Sequence, residues 1–221
     1  CMFSSGNWNL FLNLSTTSPK ISADIISRYS PRMPFLITSQ GFPLQNTEEI
    51  ISIVKAISPT FGGINLEDIS APRCFEIEDR LKKELTIPVM HDDQHGTAII
   101  ILAALINALK VVKKKMPDIK VVVSGAGAAG TAIVKIILHA GVKNVLVIDR
   151  QGIIFRERKD LTIEKKNIAS ITNLSSEQGD IEKAFIGADV FIGVSAPNLV
   201  TPKMISTMNK DSIVFALANP I

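Results

Sequence analysis

Residues 119–130, IKVVVSGAGAAG, constrain the fold more than any other stretch. A β-branched run breaks into Gly125, Gly127 and Gly130 in G-x-G-x-x-G spacing, and an apolar stretch with helical spacing follows. Such a run is a strand turning sharply into a helix. Gly125 permits the turn, Gly127 lets backbone approach a pyrophosphate, and Gly130 lets helix and strand pack closely. Ala126, Ala128 and Ala129 complete the loop, and the helix N-terminus offers N–H groups and the positive end of its dipole. The following strand closes on Asp149, 19 residues after Gly130, where a carboxylate accepts hydrogen bonds from ribose hydroxyls. Glycines also serve tight turns that bind nothing. Strand, loop, helix and acid in this order nevertheless predict a dinucleotide site. Asp149 favours NAD, because its charge repels a 2′-phosphate. Arg150, Arg156 and Arg158 soften that repulsion and leave NADP open.

The same alternation extends to both sides. Downstream, strands at 119–124, 144–149, 190–195 and 212–218 are separated by helices at 128–140, within 160–187, and at 202–209. Strands as apolar as KVVV and VLVI belong to a parallel sheet covered on both faces. Upstream, NTEEIISIVKAISP reads as a helix with a polar cap and acids in its first turn. FGGINLEDI and IPVMHD read as short strands, and APRCFEIEDRLKKEL between them as an amphipathic helix. The expected fold is α/β, a Rossmann-type doubly wound parallel sheet preceded by part of a smaller α/β unit. Residues 1–45 differ: they hold four charges and half of the chain's aromatics, with no sustained period.

Composition excludes several classes of partner. A net charge of +3 spread over 221 residues gives no basic stripe for nucleic acid. Two cysteines make no disulfide framework, so a reducing, cytoplasmic setting is expected. The run TAIIILAALINALKVV is interrupted by Asn107 and falls short of the ~20 apolar residues of a membrane span. It is expected to be a buried helix, from about residue 97 to 115. The chain begins with Cys1 and stops at FALANPI, directly after a predicted strand, and is expected to be a fragment whose nucleotide domain is cut short.

Carboxylates gather at two predicted strand ends: Glu67 and Asp68 in NLEDI, Asp92 and Asp93 in HDDQHG. If those strands are neighbours in one parallel sheet, both ends face the crevice where open α/β folds bind ligands. Converging carboxylates repel unless a cation sits between them, and hard oxygen donors suit Mg²⁺ or Mn²⁺. Two alternatives stand beside this reading. An aspartate at a helix start also caps N–H groups, and His91 and His95, four apart, have a spacing that zinc uses. His91 and His95 are otherwise expected to be local hydrogen-bonding partners, and His139 a cation at a helix C-terminus.

SPTFGGINLEDISAPRCFEIEDRLKKELTIPVMHDDQHGTA, followed by GAGAAG and a final ALANP, resembles the bacterial-type malic enzymes from about residue 46 to 221. The resemblance implies oxidation of (S)-malate with NAD or NADP and a divalent cation, then decarboxylation to pyruvate and CO₂. It implies Glu67, Asp68 and Asp93 as ligands of Mg²⁺ or Mn²⁺, with Asp92 supporting the catalytic groups. Residues 125–130 would bind the cofactor, GVSAP (193–197) would lie along it, and Asn219 would contact nicotinamide and substrate. Residues 1–45 would be an atypical segment, 46–93 the C-terminal part of a catalytic domain, and 94–221 the NAD(P)-binding domain. A homo-oligomer is implied too. The family's general acid is a tyrosine and its general base a lysine, and neither Tyr29 in SRYSPRM nor Lys20 in SPKIS matches their surroundings. The chain is therefore expected to carry the metal and cofactor halves of such an enzyme without its proton-transfer half, and to be inactive alone. The competing expectations are a nucleotide-binding module without turnover, or another NAD-dependent dehydrogenase, which would leave Glu67, Asp68 and Asp93 without a joint role.

Overall fold

The computed structural model describes the backbone of residues 34–38 and, in full, residues 46–196 and 198–218. Two sheets organise them. The first holds β1 (Pro34–Thr38), β2 (Gly63–Glu67) and β3 (Val89–His91), all parallel and in that order. Helices α1 (Thr47–Ile57) and α2 (Arg73–Glu84) connect these strands. Asn46 caps α1 by accepting the Glu48 N–H at 3.0 Å, as its polar start predicts. Ile50, Ile51 and Val54 of α1 meet Cys74, Ile77 and Leu81 of α2 over Ile64, Leu66 and Val89. The strand β1 lies where the sequence shows no strand period, because its signal is five residues long.

The second sheet has the order β6-β5-β4-β7-β8. Its strands are β4 (Lys120–Ser124), β5 (Asn144–Asp149), β6 (Gly152–Ile153), β7 (Val190–Gly193) and β8 (Ile213–Ala216). All are parallel except β6, a short antiparallel edge that the sequence pattern did not reveal. The chain leaves β4 toward one edge and returns beside it at β7, so the order reverses between those two strands. Open α/β sheets bind ligands at that reversal. Alternate residues of each strand feed opposite cores. Val121, Val123, Val145 and Val147 pack toward α3 (Thr97–Val112) and α4 (Ala128–His139). Val122, Leu146 and Ile148 pack toward α6 (Ile181–Phe185) and α7 (Pro202–Ser206), while α5 (Ile163–Ile171) adds Ile168 and Ala169 to the first core.

The apolar helix α3 is not buried all round, contrary to the sequence expectation. Ala98, Ile101, Leu105 and Leu109 form the buried stripe that a 3.6-residue repeat aligns. Ile99, Ile100, Ile106 and Val111 are exposed. With the turn before it, Asp92–Val112 is the one described helix long and apolar enough to cross a membrane, a weak indication that core helices of soluble proteins share. The helix ends at Val112, three residues earlier than expected, because its C-cap Lys113 turns at φ 56°.

Candidate active site

The glycine loop takes the form its spacing predicts. Gly125 adopts φ +118° and donates its N–H to the Ile148 carbonyl at 3.0 Å, which ties the turn to β5. A Cβ on Gly130 would overlap the Gly125 carbonyl oxygen, so this glycine is fixed by the chain's own packing. Gly127 differs. Its φ is −84° and a Cβ there would meet nothing within 4 Å, so neither backbone conformation nor packing requires glycine. The open space beside it belongs to a cavity of about 650 Å³ lined by Gly125, Ala126, Gly127, Asp149, Lys165 and Ser195, among others. Ala128 and Ala129 are the first turn of α4. Val194 closes the far wall by donating its N–H to the Ser124 carbonyl at 3.0 Å, and the Ser124 and Ser195 hydroxyls lie 3.2 Å apart.

Asp149 reaches this cavity from the end of β5 in a setting the sequence did not reveal. Arg158 donates to both of its oxygens, Nη1 to Oδ1 at 3.0 Å and Nη2 to Oδ2 at 2.5 Å. Lys165 of α5 donates to Oδ2 at 2.6 Å, and the Gln151 N–H to Oδ1 at 3.0 Å. Burial alone would raise the pKa of Asp149, but the hydrogen bonds from Arg158 and Lys165 prevail and hold it at about 2. Arg150 also lines the cavity, whereas Arg156 is turned away to donate to the Ser170 carbonyl at 2.7 Å. Of the three arginines near Asp149 in sequence, only Arg158 pairs with it. Lys165 was missed because its approach depends on how α5 packs, which no local pattern records.

The carboxylates gather on the other sheet. β2 and β3 are parallel neighbours, with Leu66 opposite His91, so Glu67 and Asp92 follow at adjoining strand ends. Asp68 turns the chain at φ 57°, and its N–H donates to Asp93 Oδ2 at 2.8 Å. The pKa of Glu67 is raised, first by burial and then by the negative charges of Asp92, Asp68 and Asp93. The negative charges of Asp92, Asp68 and Asp93 thus act on Glu67 across the two adjoining strand ends. As they stand, no three acid, histidine or cysteine side chains among the described residues form a group that could hold a metal ion. The donor chemistry still suits a hard divalent cation: the donors are carboxylate oxygens, and a positive charge among them would relieve the repulsion on Glu67.

Residues Asp92–Gly96 form a π-helical turn leading directly into α3. A Cβ on Gly96 would overlap the Asp92 carboxylate, so glycine there leaves room for that side chain. The histidines separate. His95 lies 2.7 Å from Glu78 on α2, a hydrogen-bonded partner as expected. His91 is fully buried, its pKa lowered by that burial, and its ring nitrogens make no hydrogen bond among the described residues. Its Nδ1 lies 3.9 Å from Asp93 Oδ2. The turn packs against α4, and Ala128 at the start of α4 touches the core of the first sheet. Asn219, Tyr29 and Lys20 lie outside the described residues.

A dinucleotide-type loop at the switch point of a 3-2-1-4-5 sheet, abutting a second sheet that ends in carboxylates, defines an α/β protein of the dinucleotide-binding class. The sequence matches the family description "Malic enzyme, NAD binding domain" over residues 94–221 and "Malic enzyme, N-terminal domain" over residues 39–82. The chain belongs to the malic enzyme family. It is similar to the NAD-dependent malic enzyme of Geobacillus stearothermophilus, 58% identical over 185 residues, or 82% of this chain and 39% of that protein. It is also similar to the bifunctional malic/malolactic enzyme of Bacillus subtilis (strain 168), 44% identical over 214 residues, or 95% of this chain and 52% of that protein. The chain thus spans about half or less of these two relatives. Among solved structures, the NAD-dependent malic enzyme of Thermotoga maritima superposes with a TM-score of 0.83 at 38% identity, covering all of this chain and 68% of that one.

Proposed function

We propose that this protein takes part in the oxidative decarboxylation of (S)-malate to pyruvate and CO₂, reducing NAD with the help of Mg²⁺ or Mn²⁺. The observation that carries the reading is the meeting of two features: a glycine loop whose Gly127 serves no internal packing, and a helix α4 that abuts the turn carrying Asp92 and Asp93. In this reading Glu67, Asp68 and Asp93 hold the cation, which requires Asp93 to leave the Asp68 N–H, and Asp92 supports them with its charge. When bound, the cation polarises the C2 oxygen of malate and the dinucleotide accepts the C2 hydride. The chain's residues do the remainder. The loop N–H groups and the start of α4 hold the pyrophosphate, Asp149 receives the ribose hydroxyls, and Asn219 contacts nicotinamide and substrate.

NAD is the proposed cofactor because Asp149 stays ionised at the ribose end of the cavity. Relatives in the family are named for NAD or for NADP, and the cations of Arg158 and Lys165 lessen the repulsion that a 2′-phosphate would meet. Residues 46–93 act as part of the catalytic domain and 94–221 as the nucleotide domain. The protein is cytoplasmic and works as a homo-oligomer.

The test is reduction of NAD by malate with Mn²⁺ present and after chelation. Turnover indifferent to the chelator would refute the metal role.

A further inference from the structure

Glu78 is the one charged residue of α2 that is buried, with a side chain 5% exposed. Carboxylates are rarely buried unless paired, and this one has three partners. Oε1 lies 2.7 Å from His95 Nε2 and 2.7 Å from Lys82 Nζ, while Gln94 Nε2 donates to Oε2 at 3.2 Å. Burial would raise its pKa, but the bonds to His95 and Lys82 lower it, so the group stays charged.

Two of these partners, Gln94 and His95, belong to the five-residue π turn whose first two residues are Asp92 and Asp93. A π turn is rare, and where one persists it frequently marks a functional site. Here it is held from two sides. Gly96 leaves room for the Asp92 carboxylate on one, and Glu78 grips consecutive side chains of the turn on the other. Gln94 is itself buried and cannot swing out to water instead. Lys82 also lies 2.7 Å from Oε1, but it sits four residues along the same helix and has no bond to the turn.

We infer that Glu78 is a positioning residue for the carboxylate turn: through Gln94 and His95 it sets where Asp92 and Asp93 present their oxygens, and hence the affinity for a divalent cation, without touching that cation. This rests on the metal reading given under Proposed function. Groups that orient metal ligands change affinity by about 10- to 100-fold when altered.

The experiment compares the unaltered protein with Glu78→Gln, Lys82→Met and Asp93→Ala, measuring Mn²⁺ binding by calorimetry, NAD binding by calorimetry, and thermal unfolding. Glu78→Gln keeps the side-chain volume but presents an amide to His95. The expected result is at least about a 10-fold loss of Mn²⁺ affinity in Glu78→Gln, with NAD affinity within about twofold of the parent and the unfolding transition retained. Lys82→Met is expected to change neither affinity. Unaltered Mn²⁺ affinity in a folded Glu78→Gln, alongside its loss in Asp93→Ala, overturns this inference alone. Equal losses of Mn²⁺ and NAD affinity in Glu78→Gln also overturn it, since they mark general damage. Failure of the unaltered protein to bind Mn²⁺ overturns the metal reading and this inference together.

Discussion

Replacing Asp149 by asparagine separates the charge at the β5 end of the cavity from its shape. The Asp149 side chain is 12% exposed and that of Arg158 10%, so solvent screens their pairing poorly. Folding lowers the pKa from 3.8 to about 2. At about 1.36 kcal/mol per pH unit, that fall corresponds to about 2 kcal/mol of stability at neutral pH. The sign follows from the direction of the change. A depressed carboxyl pKa stabilises the fold above the unfolded value, and the contribution fades as pH falls from about 4 toward about 2. Near pH 3 roughly half should remain. The Asp149→Asn substitution would leave Arg158 paired with Asp160 at 2.8 Å, and Lys165 free to turn toward water, which limits further loss. Urea unfolding of both proteins, followed by circular dichroism between about pH 7 and about pH 3, reads the effect. The stability gap should be about 2 kcal/mol at neutral pH and shrink by about 1 kcal/mol near pH 3. A gap independent of pH would refute the charge argument and leave only lost hydrogen bonds.

Gly130→Ala should force α4 away from the Gly125 carbonyl, cutting NAD affinity at least about 10-fold in calorimetry with a fall in unfolding temperature. Gly96→Ala drives a methyl group into the Asp92 carboxylate and should weaken Mn²⁺ binding while NAD binding holds; equal loss of both would mean the turn has collapsed. Asp189 is buried between Lys114 at 2.8 Å, the Lys120 N–H at 2.9 Å and Asn209 at 3.0 Å. Asp189→Ala should cost about 3 kcal/mol in urea unfolding, because it leaves Lys114 only the Lys210 carbonyl and the Lys120 N–H without its Asp189 acceptor. Burial pushes the Cys74 thiol up to about 11, so in a Cys1→Ser background the native protein should resist thiol reagents near pH ~8 until denatured.

Local chemistry wrote much of this protein into its sequence. The stretch VVVSGAGAAG specifies its turn because glycine alone tolerates φ +118° and the close approach at Gly130, facts of backbone sterics that the local chain supplies. The parallel strands after residue 119 were legible from apolar periodicity, and the family from the order of its motifs, whereas β6 and the division of residues 160–187 into α5 and α6 were not. Tertiary structure decided the rest. Whether α3 is buried depends on what packs against each face, and a run apolar all round carries no mark of which stripe wins. Asp149 is legible as a ribose acid, but its clamp by Arg158 and Lys165 comes from a loop and a helix 9 and 16 residues away in sequence. Glu78 shows the limit most sharply. In APRCFEIEDRLKKEL it is one acid among several on an amphipathic helix. Only the packing of α2 against the Asp92–Gly96 turn buries it and gives it Gln94 and His95 as partners, since the charge of a side chain is local but its burial belongs to the whole fold.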